Sequence, residues 1–177
     1  MRLALDHPDR VTRLVLLEPN LVHMLRHEGR HGAFMEAHGL RDFVKEHGGR
    51  GDWERVAVRF ADYWDGEGTW AAMPSERRAT FVAALSPNYH EWDAVLGDES
   101  LIEGTSRITA LTMVVWARNT KRPMAEAVEV LRERAPHWRF QELADGGHMF
   151  PLTRPDLVNP LIREFLDTPG GKRDAGP

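Results

Sequence analysis

The chain of 177 residues has no cysteine. That absence removes disulfide staples, thiolate metal sites and a cysteine nucleophile together, and it accords with a reducing, cytoplasmic location. Long hydrophobic runs are missing as well. No unbroken apolar stretch is longer than Met113 to Ala117, far too short to cross a bilayer. The opening Met1-Arg2-Leu3-Ala4-Leu5-Asp6 breaks too early for a signal peptide. Positive charge is not in excess either. The 23 Lys and Arg against 27 Asp and Glu give a formal net charge of −4, so no basic footprint for nucleic acid or anionic lipid exists. Pairs such as Arg77-Arg78 and Lys121-Arg122 read as solvated faces. A soluble, non-secreted protein with no nucleic-acid and no membrane partner is expected.

What is present is ordinary globular material: 42% hydrophobic and 28% charged residues, in a chain long enough for one sizeable core or a small core plus an insertion. Residues 2–7 read as the end of a helix that Pro8 stops. Val11 to Leu17 is short and almost wholly apolar, the pattern of a parallel strand covered on both faces. Helical signals follow. Asp52 is placed to cap a helix whose Trp53, Val56, Ala57, Phe60 and Trp64 form one apolar stripe. Ser75 is placed to cap another, with Phe81, Val82 and Leu85 inward, and Gly48-Gly49, Gly51 and Gly66-Glu67-Gly68 mark the joints.

Strand and helix then alternate again. Ile108 to Ala117 reads as a second strand, and Pro123 opens a helix with Ala125, Val128 and Leu131 inward. Trp138 to Leu143 alternates like an edge strand. A last helix is expected to start with Asn159 as cap and Pro160 as first residue, burying Leu161, Ile162, Phe165 and Leu166. This order predicts the α/β class: about three parallel strands with flanking helices, and an all-helical insertion. The predicted division is a core over 1–19 and 105–168, a helical segment over 20–104, and a disordered tail over 169–177.

Two segments carry a resemblance. Near the end, Ala144-Asp145-Gly146-Gly147-His148-Met149 follows the last strand, and Pro155-Asp156-Leu157-Val158 leads into the closing helix. Near the start, Ala4-Leu5-Asp6-His7-Pro8-Asp9-Arg10-Val11 runs into Leu14-Val15-Leu16. The first resembles the histidine loop of α/β-hydrolases and the second their passage from the nucleophile helix into the sixth strand, with a helical cap, or lid, between them. The likeness covers residues 1 to about 168 and implies the C-terminal part of that fold.

It further implies that His148 is the catalytic base, since a neutral imidazole can take a proton from a serine or water near pH 7. From composition alone His148 is one of nine histidines and equally a structural one. Family members carry the acid of the triad after the seventh strand, yet Ala117-Arg118-Asn119-Thr120-Lys121-Arg122 has no carboxylate. Some relatives place it at the end of the sixth strand, where Glu18 stands; the alternative is that Glu18 is an ordinary strand-end residue. No Gly-x-Ser-x-Gly elbow occurs. The implied enzyme is therefore a hydrolase of a small, fairly apolar substrate, cut at an ester or similar bond, truncated here and inactive alone. With an aspartate nucleophile, epoxide or haloalkane hydrolysis would fit equally well. The competing class is a non-catalytic interaction module.

Trp64, Trp70, Met73 and Trp92 cluster in the helical segment, and they line a substrate pocket or else form its core. Trp64 and Trp70, with Met149 beside the histidine, are the candidate substrate contacts. His23, His27 and His31 recur every four residues, but Gly29 interrupts the helix and no carboxylate completes a site, so no metal is expected. No cofactor is implied. A first strand without an outer neighbour would leave unpaired amides, so self-association is expected.

Overall fold

The period-two alternation of the middle strand organises the molecule. In the computed structural model, which describes residues 1–97 and 103–168, this is β2, Leu111–Ala117. It pairs in parallel with β1, Arg13–Leu17, on one side and with β3, Arg139–Leu143, on the other, giving the order β1-β2-β3. Successive side chains of a strand point to opposite faces. Val114 and Trp116, with Leu14 and Leu16 of β1, therefore enter one apolar core, and Met113, Val115 and Ala117, with Val15 and Leu17, enter another. β2 is apolar almost throughout because it is covered on both faces.

Helix α1, Arg2–Asp6, precedes β1. Between β1 and β2 run α2, Val22–His27; α3, His31–Gly48; α4, Trp53–Asp65; α5, Thr69–Ala72; α6, Ser75–Ala84; and α7, Asn88–Gly97. A 3₁₀ turn at Thr105–Arg107 leads into β2. After it come α8, Arg122–Arg134; β3; α9, Phe150–Thr153; and α10, Pro155–Asp167. The first core joins the sheet to α8 and to the helical segment through Leu25, Leu40, Val44 and Phe60. The second, built on Phe150, Val158 and Phe165, closes the opposite face. The α/β class with three parallel strands and flanking helices is the one the sequence predicts.

Local chemistry explains most boundaries and a few departures. Asp52 caps α4 as expected, its Oδ1 accepting from the Arg55 amide at 3.3 Å. Ser75 does not cap α6: Pro74 occupies that position and Ser75 is already helical. β1 and β2 start later than the apolar runs suggest, at Arg13 and Leu111, because pairing with the neighbour, not hydrophobicity, sets a strand's length. The closing helix begins at Pro155, not Pro160. Pro155 takes the first turn, where a missing N–H costs nothing, and Pro160 is tolerated inside the same helix. Its buried residues are Val158 and Phe165; Leu161 and Ile162 are half-buried, and Leu166 is 48% exposed. On α8, Ala125 is half-buried, and Met124, Ala127, Val128 and Leu131 carry the inward face.

Gly29, at φ +70, ends the helix of His23 and His27 before His31 opens the next, so the three imidazoles share no continuous helix face. Among the described residues no cluster of His, Asp or Glu could hold a metal ion. No described helix is long and apolar enough to cross a membrane. The tail expected to be disordered, 169–177, lies outside the described residues.

Candidate active site

Glu18 is the residue after β1, and its backbone departs from the strand at φ 40, a left-handed value rare for a residue with a side chain. The Glu18 amide still donates to the Val115 carbonyl at 2.8 Å, so the ladder to β2 holds the kink in place. The effect is to keep the carboxylate inside: its side chain is 1% exposed. A buried carboxylate is costly unless hydrogen bonds replace its water. Here three donors do so. The Ala117 amide donates to Oε1 at 3.0 Å, and the Thr120 hydroxyl donates to Oε2 at 2.8 Å. The third is His148, whose Nδ1 lies 2.7 Å from Oε2. An ionised carboxylate only accepts, so this contact suits the Nδ1–H tautomer of the neutral ring, in which Nε2 carries no proton.

The loop that delivers His148 is shaped by two glycines. Gly146 has φ +131, and a Cβ there would stand 2.5 Å from Phe150 Cβ; Gly147 has φ +57. Neither backbone suits a residue with a side chain. The turn is then tied to the sheet by Asn119, which follows β2. Its Oδ1 accepts from the Gly147 amide at 2.9 Å, and its Nδ2 donates to Asp145 Oδ1 at 3.2 Å. Arg154 reaches Asp145 from the other side at 3.5 Å. Asn119 was not singled out by sequence reasoning, which searched that loop for a carboxylate. The signal available was its position, one strand end away from the histidine turn.

His148 is one-quarter exposed and faces the helical segment. The Trp64 indole of α4 stacks on its ring, with centroids 4.2 Å apart and planes 26° from parallel. Beside them opens a cavity of about 610 Å³ lined mainly by apolar side chains, among them Phe60, Trp64, Met73, Trp92, Met149 and Leu152, with His148 on its wall. Among the described residues no serine borders it. A second, more polar hollow of about 420 Å³ lies across Trp64, against Asn119, Asp145 and the glycine turn.

Of the residues singled out from sequence, His148, Glu18, Trp64 and Met149 thus come together in one place. Trp70 does not border the cavity. It packs against Phe81 at 6.5 Å between centroids, under the Arg78 guanidinium at 5.3 Å, and its amide donates to Asp62 at 2.9 Å. The surroundings of Trp70 are those of an element holding α5 on α4 and α6.

No family model matches the chain. Among solved structures, a probable hydrolytic enzyme from Pseudomonas aeruginosa PAO1 is similar in fold, with a TM-score of 0.56 at 18% identity. The match covers 94% of this chain and 59% of that one, so the chain spans about three-fifths of the neighbour's length. At this identity the likeness speaks for the fold alone, an α/β arrangement.

Proposed function

We propose that this chain supplies the base and orienting acid of a hydrolytic site for a small, fairly apolar substrate cleaved at an ester or similar bond. The observation that carries this reading is the 2.7 Å contact between a buried Glu18 carboxylate and His148 Nδ1 beside an apolar cavity. In that role His148 Nε2 takes the proton of the attacking nucleophile. Glu18 holds the tautomer that leaves Nε2 free to do so and stabilises the imidazolium that forms. The cavity of about 610 Å³ is of the size and character that buries a small organic molecule. α2 to α7 act as the cap over the site. The fold shared with a probable hydrolytic enzyme is compatible with this reading.

These 177 residues contain no Gly-x-Ser-x-Gly turn, so in this reading His148 and Glu18 serve a nucleophile and an oxyanion hole that the described site does not itself supply. The test is to express the chain together with the coding sequence immediately upstream of Met1. An in-frame elbow is expected there, with turnover of p-nitrophenyl butyrate that falls about 10²–10⁴-fold in His148→Gln. The chain alone is expected to show no His148-dependent turnover. Turnover indifferent to His148, or an upstream region with no elbow, would count against the proposal, the latter in favour of a non-catalytic interaction module.

A further inference from the structure

Glu18 grips His148 through one atom pair, Oε2 and Nδ1. A single hydrogen bond fixes a point on the ring but not its plane, and the imidazole can still swing about that contact. Asn119 ties the turn beneath it at the Gly147 amide, a backbone contact that does not fix the plane of the ring. The plane is set from above by Trp64, whose indole lies 4.2 Å from the ring and 26° from parallel. We propose that Trp64 is a positioning residue: it holds the imidazole in the orientation that Glu18 can grip, so that docking of the helical segment and alignment of the base are one event. This inference rests on the His148–Glu18 assignment above.

Trp64 is itself braced for such a task. Tyr63 meets its ring edge-on at 4.8 Å and 82°, and Phe60 does so at 6.5 Å and 71°. The Tyr63 hydroxyl donates to Glu36 of α3 at 2.7 Å, and Lys121, from the loop after β2, lies 5.3 Å from the Tyr63 ring centroid. The indole is therefore connected to a second helix and to the sheet. It also borders both hollows, so it stands as the partition between the apolar cavity and the polar one. A substrate filling the first would press on the residue that sets the base.

The test reads the ring itself in the 177-residue chain. Long-range proton–nitrogen correlation spectra at alkaline pH, where an ordinary imidazole is neutral, report which nitrogen of His148 carries the proton. The wild-type chain is expected to show the Nδ1–H form, with ring protons shifted upfield by the indole. In Trp64→Leu the ratio of Nδ1–H to Nε2–H should fall roughly two- to tenfold, the weight of one aromatic stack, and the upfield shift should vanish. Trp64→Phe should move both in the same direction by less, and it carries the test if the leucine variant does not fold. The spectra of the other histidines should stay as they are, which a merely structural loss would not allow. Wild-type values for His148 in both variants would overturn the proposal, and a change in Glu18→Gln alone would then leave the dyad standing. A wild-type His148 already in the Nε2–H form would remove the dyad and the proposal with it.

Discussion

Glu18 and His148, 130 positions apart in the chain, meet at 2.7 Å. The contact exists because β1 and β3 flank β2 in parallel, so that the segments leaving their ends emerge on the same edge of the sheet. The Ala117 amide and Thr120 hydroxyl, from the end of β2 between them, complete the carboxylate's shell. This is the place where an open parallel sheet builds sites, outside the carboxyl ends of its strands.

Glu18 carries two separable burdens, a buried acceptor and a left-handed backbone. Glu18→Ala removes the acceptor of the Ala117 amide and keeps the awkward φ, and it should lose about 1–3 kcal/mol of stability. Glu18→Gly loses the same hydrogen bonds but relieves the backbone, so it should be less destabilised than the alanine variant by roughly 1 kcal/mol. Urea unfolding of the pair measures the difference, and equal midpoints would mean that the φ of 40 stores no strain.

The two glycines of the histidine turn should differ sharply. Gly146→Ala meets both a forbidden φ and Phe150 Cβ at 2.5 Å, whereas a Cβ on Gly147 has nothing within 4 Å. The expected losses are about 2–4 kcal/mol for the first and about 1 kcal/mol for the second. Denaturation midpoints decide, and a Gly147 variant hurt as badly as the Gly146 one would contradict the steric account.

Burial, and then the hydrogen bond to Glu36, push the Tyr63 phenol above its ordinary range. A group whose folded-state pKa is raised stabilises the fold below its unfolded value, here 10.0, and that contribution is lost as pH rises beyond it. The wild-type melting temperature should therefore fall more steeply above pH 10 than that of Tyr63→Phe, which lacks this buried phenol. Parallel curves would show that Tyr63 is not the group responsible.

β1 has a partner strand on one side only among the described residues, and all five of its residues are half-buried. Unpaired amides along a strand edge invite another chain. The isolated protein is expected to self-associate with rising concentration in size-exclusion chromatography with light scattering. A monodisperse monomer across that range would refute it.

From amino-acid order came the strand–helix alternation, the parallel sheet and the break at Gly29, while the resemblance to α/β-hydrolases, not periodicity, singled out His148 and Glu18 as candidates. These are legible because periodicity, glycine and proline act on neighbours, and because the Gly146-Gly147-His148 turn has a recognisable form. What only tertiary structure decided involves residues distant in sequence. The stack of Trp64 on His148, the clasp of Asn119 on the histidine turn and the placement of Trp70 away from the cavity depend on how α4, β2 and β3 pack together. Local propensity carries no information about such contacts, because an aromatic stripe on a helix looks the same whether it faces a core, a substrate or a catalytic imidazole.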